Sequence, residues 1–526
     1  MAEQSLKQNQ VVLNVRNRKA IVNFYDREAN YLKAGEPVII VCNRFNRKYE
    51  DAIIHNFISQ WMGDFALVTT NPNTVTELNS ERVINAKRSP IENWSAQRKN
   101  IIKSLANCIK NKEGVVVFPS RRIRNYSLDR ITWDKEILKC IYELKVPVIT
   151  VCVKSINSGI DNGWPSVFRN LKYVFSAKKE FNLQVRVGKP LTVSEIQNFK
   201  KPKAFRRYLF TKTHALGTSI DLDKFYALPN RGGKSAIATL ISPEVLEREI
   251  AAIEKYRVAQ KGHLEVYICS ALIIPNIMKQ LGILREITYR EAGEGTGKAM
   301  DIDEFDLYYK QIFIWDSKAA KIVGGYRMGC GDEIMYAYGR SGFYLNTLFK
   351  LKKDLEPVLS QSLEMGRSFI VKEYQKEAFP LFLLWKAIFF YVNREKTYRY
   401  LLGPVSISAD YSRFSRQLIV AFLKEHFYDE KMAKLVVARN PFKKQLDIRS
   451  KKSLLMQFDG VLNNLDKFIE DIEPNHFRLP VLIKQYIKQN SKFIGFNVDP
   501  MFSNAVDCLI VLDLKKLPDS TIDNLK

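Results

Sequence analysis

Four carboxylates surround one aromatic residue in the run Asp301-Ile302-Asp303-Glu304-Phe305-Asp306, and the segment Glu364-Met365-Gly366-Arg367 follows later in the chain. Burying an unpaired charge is costly, so such a run cannot lie in an ordinary apolar core. The run is therefore either a solvated surface or a site where acids meet a cationic group. The rest of the sequence is needed to distinguish these two interpretations.

The size and charge of the chain limit its fold and its partners. With 526 residues, two domains of ordinary size are expected. Hydrophobic residues make up 46%, which is enough for packed cores and too much for disorder. Lys and Arg (82) exceed Asp and Glu (56) by 26. Such an excess favours a polyanionic partner, namely nucleic acid, an anionic membrane face or an acidic carrier protein.

The cysteines and histidines argue against disulfides and metals. Seven cysteines are scattered without a CxxC pair, and the five histidines are isolated from one another. This pattern fits a reducing compartment and predicts neither a disulfide framework nor a zinc site. The first ten residues are polar, and the apolar run from Phe379 to Val392 is interrupted by Lys386. We therefore expect a cytoplasmic protein that touches a membrane at most peripherally.

Turn-forming residues at Leu228–Ser235 divide the chain into predicted domains 1–230 and 231–526. The first domain alternates strand-like and helical segments, as an α/β sheet would. Buried strands are predicted at Val38–Cys42, Val115–Phe118 and Val146–Val153, with a helix at Gln97–Asn111. A basic stretch with interleaved aromatic residues, Lys200–Lys212, follows them.

The second domain is predicted to be a mixed sheet flanked by helices. Its first helix begins at Ser242-Pro243, and a strand and helix follow over Leu264–Leu281. Two hairpin strands, a strongly apolar helix and two later strands are then expected. These lie at Ile312–Lys318, Lys321–Met328, Phe379–Asn393, Tyr400–Leu402 and Cys508–Leu512.

The first domain resembles the glycerophosphate acyltransferase family over most of residues 35–190, through its strand order and the segments Val115–Pro119 and Val146–Ile149. That family uses a His–carboxylate pair to deprotonate the accepting hydroxyl. Here Arg44 stands at the histidine position, and an arginine cannot act as a base. The family's Phe-Pro-Glu-Gly motif reads Phe118-Pro119-Ser120-Arg121. His55 lies beyond the acid and is not expected to replace the missing base.

The resemblance therefore implies a domain that keeps the fold and has lost O-acyl transfer. It would serve as a scaffold, a membrane-facing platform or a dock for a carrier protein. The replacing residues are mostly basic, which suits either an anion-binding surface or a solvated charge cluster without a role. They are Arg44, Arg47, Lys48, Arg121, Arg122 and Arg124.

Residues 245–515 resemble the hemolysin-like N-acyltransferases that make ornithine and glycine lipids. These are GNAT-fold relatives of the acyl-homoserine-lactone synthases and take their acyl group from acyl carrier protein. The resemblance rests on an ordered series of segments: Gln280–Glu291, Asp301–Asp306, Val323–Arg327, Glu364–Ser368, Leu384–Lys386, Leu479–Tyr486, Gly495–Pro500 and Leu512–Asp513. With the first domain, the chain resembles the bifunctional aminolipid synthases of bacteria.

The resemblance implies roles for the acidic run and its basic neighbours. An amino acid's α-amine is mostly protonated at pH 7, so a base has to remove a proton before it attacks a thioester. Glu364 is the candidate base, and Asp303 and Asp306 are expected to hold the amino acid.

The remaining site residues assigned by the resemblance are basic or aromatic. Arg327 and Arg367 would pair with these acids or hold the substrate carboxylate. Arg285 and Phe305 complete the expected substrate-binding set, and Glu364, Arg367 and Asp306 form the expected catalytic set.

Three alternatives remain open at this site. Asp301 and Glu304 are expected to face solvent. A purely structural ion-pair network is an alternative for Asp303, Asp306 and the two arginines. Proton transfer relayed by water or assisted by the substrate would give the same sequence pattern as a base at Glu364.

The donor is expected to be acyl carrier protein rather than free coenzyme A. Ordinary GNAT enzymes hold the coenzyme pyrophosphate with a glycine-rich loop at a helix N-terminus. The equivalent stretch here, Tyr374–Leu381, contains no glycine. An acidic carrier protein docked on basic surface would use the net charge of +26. Neither a cofactor nor a metal is expected.

The glycine-rich segment Gly293–Lys298 does not match a P-loop, because Ala292 and Ala299 stand where glycine and Ser or Thr are needed. A mobile lid over the acidic run is the expectation instead.

The sequence thus predicts an N-acyltransferase that moves a 3-hydroxyacyl group to an amino acid's α-amine, with glycine or ornithine as acceptor. This would be the first step of aminolipid synthesis. A lysolipid O-acyltransferase using the first domain is the alternative enzyme. A non-catalytic basic protein that binds a membrane or carrier is the third reading, and no nucleic-acid module is recognisable.

Overall fold

The computed structural model describes residues 8–15, 18–33, 37–43, 50–62, 65–69, 83–85, 94–111, 113–119, 133–155, 180–199, 201–218, 235–377, 379–443, 455, 458 and 460–521. The chain forms two compact units. The first comprises 1–227, 412–415 and 446–478, and the second comprises 228–411, 416–445 and 479–526. The sequence predicts a single boundary at residue 230, whereas in the structure the first unit also includes the later segments 412–415 and 446–478.

The first unit is built on an eight-stranded sheet with the order β1-β2-β8-β7-β3-β6-β4-β5. The strands are β1 Gln8–Val15, β2 Arg18–Tyr25, β3 Ile39–Cys42, β4 Phe65–Thr69, β5 Val83–Asn85, β6 Gly114–Val117, β7 Val148–Ser155 and β8 Glu180–Val187. The helices are Asp26–Ala29, Glu50–Met62, Trp94–Lys110, Lys135–Leu144, Val193–Gln197, Pro202–Thr218 and Leu462–Ile472. The three predicted strands and the predicted helix near residue 100 are confirmed.

Both faces of this sheet are buried. The central strands β3, β4, β6 and β7 pair in parallel, and parallel strands are covered on both sides by their crossover helices. Ile40 and Val116 belong to one apolar core, whereas Ile39, Val41 and Val115 belong to another on the opposite face. Burial on both faces explains why the sequences of these central strands are unbroken runs of apolar residues.

The basic residues predicted for an anion-binding surface all lie outside the described residues. This applies to Arg44, Arg47, Lys48 and the segment 120–124. Asn43, just after β3, is described, and its side chain makes two hydrogen bonds with the backbone of Val153. His55 lies in the helix Glu50–Met62, where its ring packs against Phe65.

A helix from late in the sequence completes the first unit. Asp471, in the helix Leu462–Ile472, lies 2.6 Å from the Nζ of Lys212, which is only 2% exposed. Asp471 also accepts a hydrogen bond from the backbone N–H of Lys189, and Arg186 donates to the carbonyl of Ile472. Arg186 itself is buried against Glu28 at 2.8 Å. The buried cations of this unit therefore depend on a segment far away in sequence.

The second unit contains an eight-stranded sheet with the order β17-β18-β15-β14-β12-β11-β10-β9 and a small sheet of β13 and β16. The strands are β9 Arg257–Lys261, β10 Leu264–Ser270, β11 Lys310–Asp316, β12 Lys321–Cys330, β13 Phe349–Leu351, β14 Ser362–Ile370, β15 Tyr400–Ile407, β16 Val436–Ala438, β17 Lys492–Asp499 and β18 Ala505–Asp513. The predicted hairpin and the later strands are confirmed.

Helices flank this sheet, as the sequence predicts. They are Pro243–Ala252, Pro275–Glu291, Gly331–Tyr338, Leu345–Leu348, Glu356–Leu359, Phe379–Glu395, Arg413–His426, Glu430–Ala433 and Val481–Lys488. The helix Pro243–Ala252 begins after Ser242 with proline at its first position, and the apolar helix at Phe379 is confirmed. Among the residues described, no helix has the length and apolar character needed to cross a bilayer.

One strand pair of the second sheet is parallel. All other neighbours are antiparallel, but β14 and β15 run in the same direction and share only the register from Ser362↔Tyr400 to Glu364↔Leu402. Both strands continue well beyond these three pairs. The pairing between β14 and β15 therefore ends just after Glu364. Arg327, which pairs with the acidic run, lies on the neighbouring strand β12.

Replacing Asp471 by alanine tests the dependence of the first unit on its returning helix. Removing one partner of a buried ion pair leaves the other charge without compensation, so we expect a loss of about 3 kcal/mol in the free energy of unfolding. Chemical denaturation of the full chain measures this change. Glu143→Ala is the matched control, because the Lys139–Glu143 pair is more than half exposed and its loss costs under about 1 kcal/mol. An Asp471→Ala effect no larger than that of the control would contradict the assignment.

Candidate active site

The acidic run folds into a capped turn ahead of β11. Asp303 precedes the short 3-10 helix Glu304–Leu307, and its side chain accepts a hydrogen bond from the N–H of Phe305 at 3.0 Å. The Asp306 side chain accepts in return from the N–H of Asp303 at 3.1 Å. This reciprocal capping fixes the direction of both carboxylates.

Asp301 was expected to face solvent, and that expectation is wrong. The residue is 2% exposed, and its carboxylate lies 2.8 Å from Arg367. Its backbone N–H donates to the carbonyl of Gly282, which holds it against the helix Pro275–Glu291. The arginine compensates the charge that burial would otherwise penalise. Glu304 is exposed, as expected.

Three arginines from three different elements meet the three aspartates of the run. Arg285 lies in the helix Pro275–Glu291, Arg327 in β12 and Arg367 in β14. Their ion pairs are Arg285–Asp306 at 2.9 Å, Arg327–Asp303, Arg327–Asp306 at 3.4 Å, Arg367–Asp301 at 2.8 Å and Arg367–Asp303 at 3.0 Å. Three positive and three negative charges therefore compensate one another within this network.

The network keeps Asp306 ionised although it is buried. Burial disfavours its charged form, but Arg285 and Arg327 outweigh burial and lower the pKa of Asp306 to about 2. Gln311, on β11, accepts from Arg285 at 2.6 Å and donates to Asp306 at 3.2 Å. The structure thus joins the three aspartates of the run and the three predicted arginines into one ion-pair network, which does not include Glu304 or Glu364.

Arg367 lies at a bulge in β14. The register between β12 and β14 shifts between Gly325 and Arg327, and Arg367 has φ 50°, in the left-handed region. A residue with a side chain adopts this conformation only where surrounding contacts hold it. Here two aspartates hold the guanidinium, and the ring of Tyr344 lies 4.8 Å from it. The bulge therefore directs Arg367 towards the acidic run.

Glu364 is a buried carboxyl group, 1% exposed, that makes no ion pair with the three arginines. It accepts hydrogen bonds from the hydroxyl of Tyr309, from the N–H of Tyr344 at 3.2 Å and from the N–H of Leu345 at 2.6 Å. Burial raises the pKa of Glu364 to about 7, although these donors and Arg327 act to lower it. Its proton is therefore exchangeable near neutral pH.

Aromatic rings enclose Arg327. Its guanidinium carbon lies 5.6 Å from the ring centre of Phe305, 5.3 Å from that of Tyr309 and 5.1 Å from that of Tyr344. Such contacts stabilise a guanidinium from which water has been removed. Phe305, predicted to bind substrate, is placed here as part of the wall around Arg327.

Two further buried acids lie on the same face of the sheet and were missed in the sequence. Cross-strand register places Glu364 on the face of Arg327, and this face continues through Ser406 to Asp507 and Asp499. Asp507 is 3% exposed and Asp499 is 6% exposed. An aspartate inside the otherwise apolar strand β18 was a signal that sequence reasoning could have used.

The glycine-rich segment before the acidic run has fixed contacts. Buried Glu286 accepts hydrogen bonds from the N–H and hydroxyl of Thr296 and from the N–H of Gly297. Gly293 has φ 72°, and a side chain there would overlap the carboxylate of Asp410. The loop is anchored to the helix Pro275–Glu291, and its role as a lid stays a prediction.

The stretch that the sequence predicts to stand in place of a coenzyme-binding loop begins with a tight turn. Lys372–Tyr374 form a single 3-10 turn, and the helix Phe379–Glu395 follows. The side chain of Gln375 donates to the carbonyl of Ile370, and Tyr374 donates to Asp316. The side-chain amide of Gln375 thus makes its hydrogen bond to the backbone of the same turn region.

Comparisons with known proteins agree with this part of the fold. The profile of the acetyltransferase (GNAT) domain family matches residues 284–385. A glycine N(alpha)-acyltransferase of Phocaeicola vulgatus is 32% identical over 290 residues, covering 53% of this chain and 88% of the relative. A glycine N(alpha)-acyltransferase of Bacteroides thetaiotaomicron is 30% identical over 290 residues, covering 53% and 85%.

Solved structures of a CoA-dependent acyl-homoserine lactone synthase are also similar to this chain. The structure with SAM and isopentyl-CoA has 11% identity and a TM-score of 0.26, and covers 49% of this chain and 86% of that chain. The structure with MTA has the same identity and TM-score, with coverages of 50% and 88%.

The GNAT match includes β12, β14 and the acidic run, which are the elements that carry the ion-pair network. The similarity to the Phocaeicola enzyme extends over most of that enzyme's length. The chain is therefore an acyltransferase and belongs to the glycine N(alpha)-acyltransferase family.

Proposed function

We propose that the second unit transfers a 3-hydroxyacyl group from acyl carrier protein to the α-amine of an amino acid, glycine or ornithine. The product would be the precursor of an aminolipid, made at the cytoplasmic face of the inner membrane. The observation that carries the proposal is Glu364, a buried carboxyl group with a pKa near 7 inside the GNAT-matched residues. The names of the two relatives support an amino-acid acceptor.

Glu364 is the general base in this proposal. A base works best when its pKa lies near the working pH, and burial brings Glu364 to about 7. It takes a proton from the acceptor's ammonium, and the free amine then attacks the thioester carbonyl carbon. The new C–N bond forms, the C–S bond breaks, and the second proton lost by the attacking nitrogen goes to the leaving thiolate. Tyr309 holds the carboxyl group in place through its hydrogen bond.

The ion-pair network shapes the site around this base. Arg285, Arg327 and Arg367 are paired with the aspartates, so Asp303 and Asp306 act in the proposal by positioning these arginines. Because the aspartates compensate these arginines, we assign stabilisation of the developing oxyanion to backbone N–H groups rather than to guanidinium groups. The ladder between β12 and β14 is interrupted opposite Tyr326, and we place the oxyanion near the backbone N–H groups of Gly324–Arg327.

Acyl carrier protein is the proposed donor. The net charge of +26 would attract an acidic protein, and the turn at Lys372–Gln375 contains no glycine with which to cradle a pyrophosphate. The glycine-free turn therefore favours a donor whose recognition depends on protein surface rather than on a nucleotide.

A product assay tests the proposed function. Purified full-length protein is incubated with 3-hydroxyacyl carrier protein or the matching acyl-coenzyme A, and with glycine, ornithine, serine or lysine. We expect N-acylated glycine or ornithine by mass spectrometry, with a higher kcat/KM for the carrier-protein donor. Absence of any N-acyl product, in conditions where the Phocaeicola relative is active, would contradict the proposal. Equal use of both donors would contradict the choice of donor alone.

Glu364→Gln tests the assignment of the base. A proton-accepting Glu364 has to be ionised, so wild-type kcat at saturating acceptor should fall as pH drops through about 7. The variant should lose about 10²- to 10⁴-fold in kcat and show no inflection near that pH. Glu356→Gln, at a partly exposed pair with Arg340, is the control and should keep the wild-type profile. A variant that keeps the inflection with near-normal kcat would exclude Glu364 as the base.

A further inference from the structure

Asp507 carries a buried oxygen atom that nothing in the described chain satisfies. One carboxylate oxygen accepts a hydrogen bond from the hydroxyl of Ser406 at 3.0 Å. The other, Oδ2, has no hydrogen-bond partner among the described residues, although Asp507 is only 3% exposed. A buried carboxylate oxygen without a donor costs about 1–3 kcal/mol or more, so such an atom indicates a missing partner.

The surroundings of Asp507 are negatively charged. Asp499 lies on the same face of the neighbouring strand β17 and is itself 6% exposed, and the charge of Asp507 acts on Glu294 of the glycine-rich loop. Burial first, and the charge of Asp499 second, raise the pKa of Asp507 to about 7. Burial and the charges of Asp507 and Asp410 likewise raise the pKa of Glu294 to about 8. These acids therefore resist ionisation together unless a cation joins them.

No guanidinium of the ion-pair network is available to supply that cation. Arg367 is the arginine whose charge acts on Asp507 and Asp499. Its ion pairs are with Asp301 at 2.8 Å and Asp303 at 3.0 Å. The balanced network leaves the acids of β17 and β18 with excess negative charge.

Tyr344 connects this acidic group to the candidate base. Its backbone N–H donates to Glu364, and its ring lies 4.8 Å from the guanidinium carbon of Arg367. Burial raises the pKa of its phenol, the charge of Arg367 lowers it, and the charges of Asp507 and Asp499 raise it. Tyr344 therefore interacts with Glu364 through its backbone and with the two acids of β17 and β18 through the charge on its phenol.

We propose that Asp507 and Asp499 bind the ammonium group of the acceptor amino acid on the sheet face that also carries Glu364. This inference rests on the proposed function and revises the expectation that Asp303 and Asp306 hold the amino acid. Those two carboxylates already have arginine partners, whereas Asp507 Oδ2 has none among the described residues. An ammonium ion can donate to Oδ2 and to Asp499 at once, because it carries three N–H donors.

Matched ligands test this site. Glycine and glycolate differ only in the ammonium, which glycolate replaces by a neutral hydroxyl group. Calorimetric titration of full-length protein with each ligand is compared for the wild type, Asp507→Asn and Asp499→Asn. We expect the Kd for glycine to rise about 10- to 100-fold in Asp507→Asn, as for the loss of a hydrogen bond to a charged group, with glycolate binding unchanged. Asp513→Asn, at the C-terminal end of β18 and paired with Arg399, is the control and should bind both ligands normally.

The outcomes separate this inference from the function it rests on. Glycine affinity within twofold of the wild type in both Asn variants would overturn the ammonium site, as would an equal loss for glycine and glycolate. So would Mg²⁺ or Ca²⁺ binding that Asp507→Asn abolishes while glycine binding persists. If the wild type acylates an amino acid in the product assay, such results overturn the ammonium site alone. Asp499→Asn keeps the test decisive where Asp507→Asn does not fold, which thermal unfolding reveals.

Discussion

The buried network of three arginines and three aspartates is the interaction on which the second unit depends. An unpaired arginine or aspartate in this position would cost several kcal/mol, so each element that contributes an arginine has to meet the acidic run. The helix Pro275–Glu291, β12 and β14 are thereby fixed to the turn before β11. The network also holds Arg367 in its left-handed conformation, which forms the bulge beside the candidate base. The same arginines and aspartates thus hold the elements of the second unit together and shape the candidate active site.

Compensation of charge within the network determines which carboxyl groups remain reactive. Arg285 and Arg327 lower the pKa of Asp306 to about 2, so Asp306 is ionised and cannot act as a proton acceptor and donor near neutral pH. Glu364 and Asp507 lie on the same sheet face and make no ion pair with any residue in the described part of the chain, and burial raises the pKa of each to about 7. Two acids thus have distinct tasks in our proposal, with Asp507 receiving the ammonium and Glu364 accepting its proton.

Local patterns and a motif series allowed much of this arrangement to be predicted. The apolar strands and the helix at Phe379 follow from hydrophobic runs, and the series from Asp301 to Arg367 indicated which acids and arginines meet. The burial of Asp301 could not be predicted, since it depends on a contact with Gly282 and a bulge at Arg367. The site at Asp507 depends on cross-strand register among β15, β18 and β17, which sequence spacing does not reveal. The return of the helix Leu462–Ile472 to the first unit is likewise a long-range contact.

A carboxyl NMR titration of the full-length protein tests the charge balance most directly. Carbon-13 labelling of the aspartate and glutamate carboxyl groups, with signals assigned through Glu364→Gln, Asp507→Asn and Asp306→Asn, gives each pKa separately. Our account predicts a pKa near 2 for Asp306 and values near 7 for Glu364 and Asp507. Ordinary carboxyl pKa values of about 4 for all three groups would contradict it, because the arginines would then not compensate the aspartates and Glu364 would hold no exchangeable proton at neutral pH.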